Sequence, residues 1–332
     1  AKGVPGWTGV LTIWAVGGLL SLCGALGYAE LASAYPRAGG DYVYLGRAYG
    51  PWAGFLFGWT QLAIVRPGDI AVMAFAFAMY AQAIYDPWAG SETSPAQVIY
   101  AAAATVVLTG INVLGVRQGK RTQNILTVIK VIGLLVVVAI AMLAPPRAAS
   151  VEAPGGLPIG LALIFVLFTF GGWNEMAYVA AEVRDARRNV VRALVTGTLL
   201  VTGLYLLLNG AFLYALGHAG LAGSDAVAAD AVAAMFPNTG RRLISALVCV
   251  SALGVINGLI FTGARISYAV GRDHRLFRAL GRWDETRGTP APALLVQGGL
   301  ALVLILCLGS FIEAVVYTAP AVYSFYLATS VA

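Results

Sequence analysis

Charge is what this chain has least of. Of its 332 residues only 11% are Asp, Glu, Lys or Arg, against 59% hydrophobic, and the mean hydropathy is +0.81. Soluble domains carry about 25% charged residues, so a soluble globular fold is excluded and the chain reads as an integral membrane protein. Histidine is nearly missing: His218 and His274 are the two present, in loops that fall on opposite sides of the bilayer, and no HExxH pair exists. A membrane-embedded hydrolase or acyltransferase would need a nucleophile with a base at mid-depth, which makes an enzyme the remote reading. The three cysteines, Cys23, Cys249 and Cys307, lie in separate apolar runs. Their odd number and spacing predict small buried hydrophobes, with no disulfide framework, metal site or cofactor. A basic n-region with a cleavable apolar stretch is also lacking, and both ends of the chain read as trimmed.

Long apolar runs are what the chain has instead. Runs of about 20 residues mark nine expected spans: Gly9–Ser33, Trp52–Tyr85, Ala96–Leu114, Ile125–Leu143, Pro158–Val183, Ala193–Leu216, Leu243–Val270, Ala293–Leu308 and Phe311–Ser330. The second is too long for one straight helix and holds Arg66-Pro67-Gly68-Asp69, which predicts a kink and an i,i+3 pairing of Arg66 with Asp69. Fourteen of the 21 basic residues fall in the loops after spans one, three, five and seven. By the positive-inside rule those loops are cytoplasmic, in a multi-pass protein of the cell (inner or plasma) membrane. The opposite side carries Lys2, Arg147, Arg241 and Arg242 with Asp86, Glu92, Asp225 and Asp230. This asymmetry places the net charge of +6 against the lipid bilayer and gives no reason to expect nucleic acid. The Ala-rich stretch Gly217–Arg242 is a surface loop or a short amphipathic lid.

The fifth span is interrupted at Phe168-Thr169-Phe170-Gly171-Gly172-Trp173-Asn174-Glu175. Two adjacent glycines weaken a helix, and opened backbone inside hydrocarbon is tolerated only where it faces protein or a wet cavity. Broken helices at the midplane are how many transporters bind small polar solutes; close helix packing on small residues is the competing reading. Lys130 lies nine residues beyond Arg121, about 13 Å into the bilayer at 1.5 Å per residue. Its ammonium can face the bundle interior, standing in for a metal ion between broken helices or titrating as part of proton coupling, or it can snorkel. Glu175 can partner a basic side chain, face a vestibule or carry a proton. Trp173 reads as packing, and Arg265 as snorkelling or as one half of an ion pair.

At these residues a resemblance emerges. GALGYAEL at Gly24–Leu31, then PRAGGDYVY at Pro36–Tyr44, NVLGVRQGKRTQNILTVIK at Asn112–Lys130, FTFGGWNEMAYVAAEVRDARRNVVRAL at Phe168–Leu194, and Asn257–Arg272 together resemble the amino acid–polyamine–organocation (APC) transporters, closest to their L-amino-acid transporter (LAT) branch. The resemblance implies an all-α, LeuT-like inverted-repeat helical bundle, of which this chain would hold helices two to ten and lack the first and the last two. A single domain, 1–332, would then comprise an incomplete first repeat (1–157) and a second repeat (158–332). By position, Phe168 resembles the aromatic gate over the substrate. Thr169, Phe170 and Gly171 would offer carbonyls to an α-amino group, Gly172 close approach, and Asn174 a polar contact. Lys130 matches the lysine that takes the place of sodium in sodium-driven relatives, which implies sodium-independent exchange (antiport) or proton coupling.

The expected function is therefore secondary active transport of amino acids, neutral L-amino acids first, by alternating access and without sodium. A polyamine or organic-cation permease is the alternative, with Glu175 as its acidic group. The loop Asp86–Pro95 has no cysteine, so the disulfide-linked heavy subunit of animal LAT-type complexes is not expected.

Overall fold

The computed structural model describes residues 4–88, 95–145, 158–224, 226–236 and 240–331. The expected charges at Lys2, Glu92, Arg147 and Asp225, and most of the cysteine-free loop, lie outside them. Helices run α1 (Gly6–Ala34), α2 (Asp41–Ala48), α3 (Pro51–Thr60), α4 (Arg66–Ile84), α5 (Ala96–Leu114), α6 (Val116–Leu143), α7 (Ile159–Thr169), α8 (Glu175–Tyr178), α9 (Ala186–Gly223), α10 (Val227–Ala233), α11 (Gly240–Asp273), α12 (Ala291–Leu308) and α13 (Phe311–Val331). Among the described residues seven helical stretches are long and apolar enough to cross a membrane, with α3 and α4 forming one of them. The fifth expected span holds the shorter α7, and the ninth coincides with α13. The fold is all-α.

Two boundaries differ from the expectation for a physical reason. α6 starts at Val116 directly after Gly115, so Arg117, Lys120 and Arg121 ride on its first turns instead of a loop. Likewise Arg187, Arg188 and Arg192 occupy the start of α9. Hydropathy sees only the apolar part of a helix, and helices that emerge from hydrocarbon continue into water on charged turns. Cys249 is buried, but Cys23 and Cys307 are exposed, on apolar helices whose surfaces suit lipid. In the Ala-rich stretch the chain turns at Gly217 and then forms α10.

The second span bends by a π-helical turn, Gln61–Val65, joining α3 to α4. Pro67 supplies the cause. It has no amide to donate and crowds the carbonyl four residues back, that of Ala63. The wider turn relieves the crowding, and the Ala63 carbonyl accepts instead from the Tyr317 hydroxyl at 3.4 Å.

Contacts divide the chain into two compact units that interleave in sequence: 1–33, 131–176 and 187–244 in one, 34–130, 177–186 and 245–332 in the other. In the second unit Ala71, Ala74, Ala78, Ala101, Ala104, Ala293 and Ala301 join Ile70, Phe75, Leu294 and Ile305 in one buried cluster. Alanine dominates because lipid is as apolar as leucine, so helices in a bilayer gain by close approach and dispersion instead of by escaping water. Three amides, Asn112 and Asn257 buried and Gln123 half-buried, hold α5, α6 and α11 together: Asn112 Nδ2 donates to Asn257 Oδ1 at 2.8 Å, and Asn257 Nδ2 to Gln123 Oε1 at 2.8 Å. Each donor has an acceptor, as a low-dielectric interior requires. The first unit has an aromatic centre in which Trp14, Phe170 and Tyr205 lie 5.0 to 5.9 Å apart between ring centroids.

Candidate functional site

α7 stops at Thr169 and α8 begins at Glu175, leaving residues 170–174 outside any helix. Gly172 explains why the chain cannot continue: its φ of 97° lies where a Cβ would meet its own backbone. The amide of Phe170 bonds back to Val166 and Leu167, that of Gly171 to Phe168, and that of Glu175 to Gly172. No backbone bond among the described residues uses the carbonyls of Phe170 and Gly171 or the amides of Gly172 and Trp173. Two acceptors and two donors are thus offered within four residues. Gly171 and Gly172 are exposed, so a solute reaches this backbone without displacing a side chain.

The side chains named from sequence divide into two groups here. Phe168 stands out from α7 at 72% exposure, available as a cover. Phe170 points the other way, 5% exposed, and anchors the break against Trp14 and Tyr205. Thr169 bonds its own helix through Oγ1, to the Phe165 carbonyl at 2.8 Å. Its carbonyl already accepts from the Tyr205 hydroxyl at 3.1 Å, leaving Phe170 and Gly171 as the open acceptors. Asn174 is buried and Glu175 half-buried at the head of α8. Trp173 packs its edge on Tyr28 at 5.1 Å and covers Gly24, where a Cβ would come within 3.1 Å of the indole. Tyr205 was not singled out from sequence. A phenol inside an apolar span was the available signal, since a buried hydroxyl seeks a partner.

Lys130 is half-buried on α6 and makes no hydrogen bond or ion pair among the described residues. It is therefore a cation held within a membrane-length helix without a fixed local neutraliser.

The segment after the break is fastened at two points inside the second unit. Tyr178, 1% exposed, donates its hydroxyl to Asp41 Oδ2 at 2.6 Å, and the Arg66 guanidinium lies over its ring at 4.9 Å. The Tyr178 ring also fills the space beside Gly40, whose φ of 48° and lack of Cβ allow that approach. Arg66 itself donates Nε to Gln61 Oε1 at 3.1 Å. One turn on, Arg265 grips Glu182 through Nε–Oε1 at 2.8 Å and Nη2–Oε2 at 3.3 Å, and gives Nη1 to the Phe261 carbonyl at 2.8 Å. Of the two readings for Arg265, the ion pair is the one observed. Nearby, Tyr42 donates to Asp273 at 3.0 Å; burial first, and then this carboxylate, raise its phenol well above the ordinary range.

Among the described residues no group of three or more His, Cys, Asp or Glu is placed to hold a metal. What the geometry offers is polar backbone in an apolar helix, suited to holding a small solute with both a donor and an acceptor end.

Comparison with known proteins agrees. The family model described as "Amino acid permease" matches residues 1–332. The chain is similar to the b(0,+)-type amino acid transporter 1 of Mus musculus, 33% identical over 331 residues, covering 95% of this chain and 66% of that protein. It is 32% identical to the Asc-type amino acid transporter 1 of Homo sapiens, over 89% of this chain and 58% of that one. It is also 32% identical to the large neutral amino acids transporter small subunit 2 of Oryctolagus cuniculus, over 85% and 55%. The chain thus spans two thirds or less of the length of these curated relatives. With a family match over its whole length and a helix opened at paired glycines, this chain belongs to the amino acid permease family, in its LAT-like branch.

Proposed function

We propose that this chain forms the helical core of a secondary active transporter that carries neutral L-amino acids by alternating access, without sodium and without covalent chemistry. The observation that carries the reading is the opened backbone at 170–174, with the Phe170 and Gly171 carbonyls and the Gly172 and Trp173 amides unused among the described residues. Those carbonyls take the α-ammonium of a zwitterion, Phe168 closes over it, and Asn174 adds a polar contact. Lys130 supplies the fixed positive charge that a sodium ion supplies elsewhere, through a point charge that needs no coordination sphere. The name of one relative, a large neutral amino acids transporter, supports a neutral cargo. The basic loops face the cytoplasm, and residues 1–157 and 158–332 are the two repeats. The relatives' names give no reason to expect an enzyme.

The test is uptake of radiolabelled neutral amino acids into proteoliposomes of the full-length protein, with sodium or with choline as the only added cation. Equal uptake in both supports the reading. A strict sodium requirement removes the role given to Lys130, and uptake confined to polyamines removes the neutral cargo.

A further inference from the structure

The second unit contains a cavity of about 490 Å³ whose lining includes no residue of the helix break. Its volume is that of a small-molecule site, and its lining is unusual in being charged yet balanced, with three arginines and three carboxylates. Arg265 and Glu182 neutralise one another in its wall. Arg37 and Arg272 are exposed and form no ion pair among the described residues. Facing the same space are Glu285 and Asp273, the latter already accepting the Tyr42 hydroxyl through one oxygen. The apolar part of the wall comes from Tyr268 and Trp283, tilted rings with centroids 5.2 Å apart.

A simple anion here would sit beside two uncompensated carboxylates, and a simple cation beside two open guanidinia. Either arrangement sets a like charge beside each opposite one, so a ligand of a single sign loses in repulsion what it gains in attraction. A zwitterion meets both signs at once. Its carboxylate takes the planar donor fork of an arginine, its ammonium the acidic pair, and an aliphatic or aromatic side chain lies on the ring faces.

We propose that this cavity is a second, low-affinity site for a free zwitterionic amino acid on the face of the membrane that carries the basic loops, occupied on release or capture of cargo. It rests on the proposed amino-acid transport. Arg37 and Arg272 bind the carboxylate, Asp273 and Glu285 the ammonium. The head group of a zwitterionic phospholipid shares this chemistry and is separated from it in the test.

The probe is radiolabelled L-leucine, with binding and transport measured on the same full-length preparations. Equilibrium binding is expected to saturate at two molecules per chain, falling to one in Gly171→Leu and to one in the double variant Arg37→Gln/Arg272→Gln. Retention of the tight class in the double variant shows that it is folded. Trp283→Ala is the milder second variant, weakening the loose class about 10-fold, which corresponds to about 1.4 kcal/mol. In vesicles of known orientation, the double variant raises the apparent KM at the basic-loop face at least 5-fold and leaves the other face unchanged. Restoring Arg→Lys at both positions recovers part of the loss. A single bound leucine in the unmodified protein beside normal leucine transport overturns the second site. So does loss of the second molecule when phosphatidylethanolamine replaces phosphatidylglycerol in the nanodiscs, since the lipid is then the occupant. Failure of leucine transport itself overturns the transport reading instead.

Discussion

Alanine placed at Gly171 and at Gly172 should have unequal consequences for the same loop, and the difference measures how far the break is built into the backbone. At Gly172 an added Cβ meets no atom within 4 Å, but the residue sits at φ 97°. The whole cost is therefore conformational, about 1–3 kcal/mol for a non-glycine residue in a sparsely populated region. At Gly171 φ is ordinary and a Cβ would approach the Phe168 carbonyl oxygen at 3.2 Å, a crowding that a few tenths of an ångström relieve. Gly172→Ala should thus weaken amino-acid binding at the break by roughly 5- to 140-fold, taking about 1.4 kcal/mol per decade, because the loop must shift its carbonyls to escape strain. Gly171→Ala should cost about threefold or less, whereas Gly171→Leu should abolish binding at the break by filling the exposed approach. The assay is equilibrium binding in detergent, with thermal unfolding as the control for insertion. Equal effects of the two alanines, or an unaffected Gly172→Ala, would refute the claim that the left-handed glycine sets the geometry of the site.

Lys130→Ala should remove most uptake while leaving membrane insertion intact, and normal flux in that variant would show its charge to be idle. Tyr205→Phe deletes the donor to the Thr169 carbonyl; a net loss of about 1 kcal/mol should appear as a lower unfolding midpoint, with substrate affinity changed less than in Gly172→Ala. Glu182→Gln leaves Arg265 buried with half its partner. Since the Glu182 side chain is 33% exposed, the loss should fall below the 3–5 kcal/mol of a fully buried pair, near ~1–3 kcal/mol, and a double replacement, Glu182→Gln with Arg265→Met, should recover part of it. Tyr42 keeps its proton more tightly when folded. Its bond to Asp273 therefore contributes fully below the ordinary phenol value near ~10 and is lost as pH rises through the higher folded value. The difference absorbance between the native protein and Tyr42→Phe should show no phenolate at pH ~10, and an ordinary titration there would contradict the contact.

The membrane class, the position of most helices and the place of the break were all readable from residues, because apolar runs, paired glycines and a proline act locally. The Arg66-Pro67 kink was readable for the same reason, although its form was not. A π turn depends on where the Ala63 carbonyl finds its replacement donor, and Tyr317 lies 254 residues away. The same limit hid Tyr205, Asp41 and Tyr178, whose pairings join distant parts of the chain. Glu182 was passed over because a carboxylate near a run of arginines reads as surface charge; only the fold shows which arginine takes it. Helix ends were misplaced wherever basic residues continue a helix out of the apolar layer, as at Val116 and Ala186. The aromatic role of Phe170 was likewise invisible, since a phenylalanine beside a glycine break carries no mark of which way it faces.

The most direct measurement is of distance between cargo and backbone. Full-length protein carrying ¹³C-carbonyl label at Phe170 and Gly171, loaded with ¹⁵N-labelled L-leucine in lipid, is suited to solid-state dipolar recoupling. Dephasing of both carbonyl signals by the leucine nitrogen, removed by excess unlabelled leucine, is the expected result. Saturated binding with neither carbonyl dephased would contradict the claim that the opened helix holds the amino acid.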